Sequence, residues 1–110
     1  MGPPPSPPLL LVCAAPPGGP GVEDALASAE AWARDGAKVG VLFSEDGLAG
    51  AASGWPKRLR DAGARAAVCG RSARGRRIDP ATLPAEVEWT SLTAFLRELP
   101  EGTRLWGLFP

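Results

Sequence analysis

Cys69 is the best candidate for a reactive side chain in a sequence that has few groups capable of covalent chemistry. The chain has no histidine and no tyrosine, and its only other cysteine is Cys13. Cys69 ends an apolar run and is followed by Gly70, Ser72 and four arginines within eight residues. Because no histidine can act as a base, the sequence argues against papain-like hydrolysis. It favours chemistry in which the cysteine sulfur itself carries the transferred group, as in a persulfide.

The segment around Cys69 is basic. Seven arginines fall within residues 58–77, where Asp61 is the only acid. If a helical turn begins at Gly70, its free amide groups and Arg71 or Arg74 would stabilise a thiolate. Two simpler interpretations stay open. Cys69 is a small buried hydrophobe that ends a strand, and the arginines form an ordinary solvated surface.

Length and composition limit the class of protein. A chain of 110 residues is enough for one small domain, which we assign to residues 9–110. The five prolines of residues 1–8 predict a disordered leader. Twelve basic and twelve acidic residues give no net charge, so we expect neither nucleic acid nor a membrane as partner.

Cysteine use points to the compartment. Two cysteines that lie far apart fit a reducing environment better than a disulfide scaffold, so we predict a cytoplasmic protein. Without histidine they cannot build a zinc site alone, and we predict no metal and no cofactor.

Apolar runs and helical spacing alternate along the chain. Strands are predicted at residues 9–15, 38–43, 65–69, 87–89 and 104–109. Helices are predicted at residues 22–34 and 56–62, with a third from Thr90 or Ser91 through Leu99. The apolar face of the last helix would consist of Leu92, Phe95, Leu96 and Leu99. Residues 70–82 have little periodicity.

This order predicts an α/β fold, a flavodoxin-like three-layer sandwich with a mostly parallel sheet of about five strands. Function in such sheets gathers at the carboxyl ends of the strands. Cys69, the turn that contains Asp46, and the Gly18-Gly19 loop should therefore meet at one edge. A flavodoxin-like order would also make strands one and three neighbours, and so bring Cys13 close to Cys69. Cys13 is then a core residue or, alternatively, a resolving thiol.

Three motifs occur in a familiar order. The first is a buried strand, a Gly/Pro loop and an Ala-rich helix that ends at Asp35-Gly36. The second is a strand running into Asp46-Gly47, and the third is Val68-Cys69-Gly70 with a basic segment after it. In this order the sequence resembles the DsrE/DsrF-like sulfur-relay family.

The resemblance has consequences for mechanism. The family often carries its persulfide cysteine in the third motif, at the position of Cys69. Some members have a second cysteine three residues later, where this chain has Ser72, and a glycine where it has Arg77. The resemblance also implies homo-oligomers and sulfur transfer between protein thiols, with other sulfur-relay proteins as donor and acceptor.

We therefore predict a sulfur carrier or sulfurtransferase-like protein that holds a persulfide on Cys69, its catalytic residue. The predicted substrate-binding residues are Gly18, Gly19, Asp46, Gly70, Arg71, Ser72 and Arg74. The alternative is a non-catalytic interaction or regulatory subunit of the DsrE type, with tryptophans or the basic patch as contacts. A weaker alternative is an anion- or nucleotide-binding module that uses the arginines and the glycine-rich loop.

Overall fold

The computed structural model describes residues 7–109. Strands and helices alternate in the order β1 Leu9–Cys13, α1 Val22–Arg34, β2 Val39–Phe43, α2 Leu48–Ala51, α3 Trp55–Asp61, β3 Arg65–Cys69, α4 Gly70–Gly75, β4 Val87–Thr90, α5 Leu92–Glu98 and β5 Arg104–Leu108. Of the predicted leader, residues 1–6 lie outside the described residues. None of the helices within residues 7–109 is long and apolar enough to cross a membrane.

The five strands form one parallel sheet in the order β4-β3-β2-β1-β5. The predicted α/β class and the five-stranded parallel sheet are confirmed. The expectation taken from a flavodoxin-like strand order, that β1 and β3 are neighbours, is wrong. β2 lies between them, because each of the first three connections moves the chain one strand further in the same direction.

The handedness of the connections decides which face each helix covers. Parallel crossovers are right-handed, so successive steps in one direction place their helices on the same face. Buried residues of α1 to α4 accordingly form one core with β1, β2 and β3, on what we call the α1 face. The step from β4 back to β5 runs the other way, and α5 packs on the opposite face, the α5 face. The structure therefore has three layers.

Helix α1 follows its predicted bounds. Its buried residues recur at helical spacing and face the sheet: Val22, Ala25, Leu26, Ala29 and Ala33. Two acids, Glu23 and Asp24, occupy the first turn, where the helix dipole favours negative charge. The helix ends before Gly36, whose φ of 95° suits a residue without a side chain.

The core of the α5 face is small, since α5 contributes only one fully buried side chain. Phe95 packs there against Leu10, Val12, Leu42 and Ala67. The predicted apolar face of this helix is thus only partly correct. Leu92 and Leu96 remain 38% and 41% exposed, and Leu99 is half-buried.

Arg65 joins three elements on the α5 face. Its guanidinium donates to both carboxylate oxygens of Glu88 on β4, from Nε at 3.0 Å and from Nη2 at 2.7 Å. The same Nη2 donates to Glu98 of α5 at 2.6 Å, and the guanidinium carbon lies 4.6 Å from the centre of the Phe95 ring. The hydrogen bonds from Arg65 lower the pKa of Glu88. Arg65 therefore holds α5 and the edge strand β4 together.

Gly40 provides the test of this packing, because its Cα lies directly under the Phe95 ring. A Cβ at this position would overlap the Cε1 and Cζ atoms of the ring. Gly40→Ala should lower the free energy of unfolding by about 1–3 kcal/mol, as is usual for overpacking, in urea titrations followed by tryptophan fluorescence. Gly75→Ala is the control, since a Cβ there meets no atom within 4 Å. Equal losses in the two variants would contradict the packing.

Candidate functional site

Cys69 ends β3, and α4 begins at the next residue. Its thiol is free and partly exposed. It lines two clefts at the carboxyl edge of the sheet. The first, which we call the polar cleft, has a volume of about 580 Å³ and is shared with Glu45, Arg71, Ser72, Gly75 and Arg76. The second, the apolar cleft, has a volume of about 400 Å³. The thiol therefore stands at a boundary between two environments.

The polar cleft is closed on one side by hydrogen bonds between the loop after β2 and α4. Ser72 Oγ donates to Glu45 Oε1 at 2.7 Å. Arg76 Nη2 lies 3.4 Å from Glu45 Oε2 and 3.1 Å from Asp46 Oδ1. The hydrogen bond from Ser72, followed by that from Arg76, lowers the pKa of Glu45. Glu45 also has a φ of 49°, so its backbone adopts the left-handed conformation.

Arg71 is the free cation of the polar cleft. Among residues 7–109 no carboxylate lies within ion-pair distance of it, whereas Arg76 is paired twice. A thiolate or persulfide at Cys69 would therefore have in its cleft one positive charge that forms no close ion pair with an acid.

The apolar cleft opens on the α5 face, where α5 leaves the sheet uncovered. Its wall is formed mainly by apolar residues: Val12, Leu42, Leu92, Leu105, Gly107 and Phe109. Leu105 and Phe109 are 60% and 71% exposed. A group bound to Cys69 would have charged residues on one side and hydrocarbon on the other.

The structure brings some of the predicted site residues together and separates others. Arg71 and Ser72 line the polar cleft with Cys69, as predicted. Asp46 lies in a neighbouring cavity of about 500 Å³ and reaches the polar cleft only through Arg76. Gly18 and Gly19 line neither of the clefts that contain Cys69.

The two remaining predicted residues, Gly70 and Arg74, line a fourth cavity of about 220 Å³ beside β4. The predicted substrate residues are thus divided among several places.

Cys13 does not meet Cys69. It is 1% exposed and packs on the α1 face, whereas Cys69 packs partly on the α5 face. With β2 between their strands, their Cα atoms are about 10 Å apart at neighbouring-strand spacing. That distance is too great for a disulfide. The resolving-thiol interpretation is therefore wrong, and Cys13 is a core residue.

Burial raises the pKa of the Cys13 thiol, and the smaller effect of a hydrogen bond with the Ala15 backbone acts in the opposite direction. In addition, no three acidic or cysteine side chains within residues 7–109 lie close enough to hold a metal ion.

Sequence reasoning missed several residues of the clefts. Glu45 had a usable signal, since it lies two residues after β2 and the carboxyl end of β2 adjoins that of β3. Leu105 and Phe109 had none, because their proximity to Cys69 depends on the placement of β5 beside β1.

Comparison with known proteins identifies the fold and no more. No known family profile matches the chain, and no curated protein matches it. Its structure is similar to that of the protein of unknown function MTH1491 from Methanobacterium thermoautotrophicum, with a TM-score of 0.70 at 14% identity. The match covers 92% of this chain and 99% of the other. The resemblance of the sequence to the sulfur-relay family therefore stays a prediction.

Thiol labelling tests the different positions of the two cysteines. In the native protein Cys69 should react with a small alkylating reagent at least tenfold faster than Cys13, because reaction at Cys13 requires opening of the core. Peptide mass spectrometry after timed labelling measures both rates.

The stability of the fold should also depend on pH, because the Cys13 thiol is buried. Because the raised pKa of Cys13 keeps its thiol protonated in the folded state, raising the pH through the ordinary thiol range should destabilise the fold at this residue. Cys13→Ala should remove that part of the alkaline destabilisation. In the labelling experiment, comparable rates for both native cysteines would contradict the assignment of Cys69 as partly exposed and Cys13 as buried.

Proposed function

We propose that this protein is a sulfur carrier or sulfurtransferase-like protein that holds a persulfide on Cys69. The observation that carries the proposal is the position of the thiol, partly exposed at the carboxyl end of β3 where the polar and apolar clefts meet. The motif resemblance and the similar fold of an uncharacterised protein are compatible with it, and neither specifies the chemistry.

The transfer step needs no base and no metal. The Cys69 thiolate attacks the outer sulfur of a persulfide donor, R–S–SH, and a new sulfur–sulfur bond forms. The bond between the two sulfurs of the donor breaks, and its electron pair leaves with R–S⁻. Cys69 then carries –S–SH, which an acceptor thiolate removes in the same way. No electron is gained or lost overall.

The two clefts fit the chemistry of a persulfide on Cys69. The guanidinium of Arg71 has no acidic partner within residues 7–109 and complements the negative charge of a persulfide anion. The apolar cleft provides hydrocarbon contacts on the other side of the sulfur. Donor and acceptor would be thiol or persulfide proteins, and a reducing cytoplasm would keep Cys69 available as a thiol.

Mass spectrometry of the intact protein tests the persulfide. After incubation with a low-molecular-weight persulfide and removal of the excess, the protein should gain the mass of one sulfur atom, and dithiothreitol should reverse the gain. Cys69→Ser should abolish the gain, whereas Cys13→Ala should retain it. A gain that survives Cys69→Ser, or no gain in the wild-type protein, would refute the proposal.

A second candidate function is that of an interaction subunit, and the surface around β5 favours it. β5 is an edge strand on which Leu105 and the following Phe109 are exposed by 60% and 71% and line the same cleft on the α5 face. Trp106, exposed by 37%, lies on the opposite face of this strand. Contiguous exposed apolar groups typically mark a surface that a partner covers. Since the sequence resemblance implies homo-oligomers, we infer a second copy of this chain as the partner.

Sedimentation velocity over a range of protein concentrations tests the second candidate. The wild-type chain should associate, and Leu105→Thr should weaken association at least tenfold because it replaces an apolar contact with a polar one. Lys57→Thr, on the exposed surface of α3, is the control. A monomer at all concentrations would eliminate this function and leave the persulfide proposal unaffected.

A further inference from the structure

A small cavity lies between the carboxyl ends of β3 and β4, on the other side of Arg71 from the polar cleft, and Cys69 does not line it. Its volume is about 220 Å³ and its lining is mostly polar or basic: Gly70, Arg71, Arg74, Trp89, Thr90 and Ser91. Two connections diverge at this cavity. The chain leaves β3 for α4 on the α1 face, and it leaves β4 for α5 on the α5 face. In open parallel sheets a crevice at such a divergence is the usual place for a ligand.

Two cations of the cavity have no internal partner. Five other arginines each form an ion pair with an acid: Arg34, Arg58, Arg60, Arg65 and Arg76. The remaining three, Arg77, Arg97 and Arg104, have no such pair within residues 7–109 but do not line the cavity. Within residues 7–109 neither Arg71 nor Arg74 has a carboxylate within 4.0 Å, although both line this one cavity. Two guanidinium groups at one cavity repel each other, and an anion between them would relieve the repulsion.

The neutral residues of the cavity supply hydroxyl groups. Ser91 Oγ accepts a hydrogen bond from the Ala94 amide at 3.1 Å, which leaves its hydroxyl proton free to donate. The Thr90 hydroxyl belongs to the same wall. Guanidinium groups, which offer paired N–H donors, and hydroxyl donors are the groups that bind tetrahedral oxyanions.

Gly70 keeps the cavity open. A Cβ at this position would lie 3.2 Å from Arg74 Nη1 and 3.5 Å from Cε3 of Trp89. The guanidinium of Arg74 and the Trp89 ring thus both lie beside the Gly70 backbone, and a methyl group there would shift the end of the Arg74 side chain.

We propose that this cavity binds a small tetrahedral oxyanion, phosphate or sulfate, either free or as the charged group of a small ester. Its volume is below the range of roughly 300–1,000 Å³ that is typical of sites for larger organic ligands, which favours a compact anion. Arg71 and Arg74 would donate to the anion oxygens, with Ser91 as a further donor. Arg71 lines both this cavity and the polar cleft, but Cys69 does not line the cavity, so anion binding does not require the thiol.

Calorimetric titration with inorganic phosphate and sulfate, at constant ionic strength maintained with chloride, tests the site. The wild-type chain should bind one anion, and Arg74→Gln should weaken binding at least tenfold through loss of charge-assisted hydrogen bonds. Arg77→Gln is the matched control. Arg77 is exposed in the same basic segment but does not line the cavity, so this variant should bind as the wild type does.

Gly70→Ala separates a shaped site from a general basic surface, because it fills space without changing the charge. It should weaken phosphate binding severalfold, with thermal unfolding confirming that the variant is folded. Titration with glycerol phosphate distinguishes a free anion from the charged group of a small ester as the ligand. Tighter binding than inorganic phosphate indicates an ester, and weaker binding indicates the free ion.

Three results would overturn the proposal: no binding beyond that of chloride, equal losses in Arg74→Gln and Arg77→Gln, or a Gly70→Ala variant that binds as tightly as the wild type. Cys69→Ser should bind the anion normally, so failure of the anion site and failure of the persulfide proposal are distinguishable.

Discussion

The return of the chain from β4 to β5 sets the shape of everything around Cys69. These strands occupy opposite edges of the sheet, so one connection must cross the whole α5 face. The connection contains a single helix of seven residues, about 10 Å long, while five strands span about 20 Å. α5 therefore covers only part of the face. The uncovered part is the apolar cleft, and the thiol borders it because β3 ends there.

The arginines that make one basic run in the sequence have three separate roles in the structure. Arg65 is a structural residue whose hydrogen bonds hold β4 and α5 to β3. Arg76 ties α4 to the loop after β2 through Glu45 and Asp46. Arg71 and Arg74 have no acidic partner within residues 7–109. Charge density along the sequence cannot separate these roles, because the partner acids come from distant segments.

Local signals were enough to predict most of the elements. The strands β1 to β3 are continuous apolar runs, and α1 has its apolar residues at helical spacing, so each could be read from a few consecutive residues. Helix α4 could not. Residues 70–75 contain two glycines and two arginines, and Ala73 is the only buried residue of the helix that has a side chain. It forms because the backbone turns directly at the end of β3.

Strand order was the part that no local pattern could provide. It depends on the direction of successive crossovers and on the return over the α5 face, which are properties of the whole chain. Cys69 was correctly expected at the carboxyl edge of the sheet, since that follows from its place at the end of a strand. Its neighbours Leu105 and Phe109 were missed, and Cys13 was wrongly placed beside it, because both depend on strand order.

The separation of the two cysteines has a consequence for oxidative damage. Cys69 is partly exposed, whereas Cys13 is buried on the other side of the sheet. A sulfenic acid formed at Cys69 is normally rescued when a nearby thiol condenses with it to a disulfide. This chain holds no such thiol within reach. Recovery would depend on a thiol from outside the molecule, and without one the sulfur would proceed to the irreversible sulfinic and sulfonic acids.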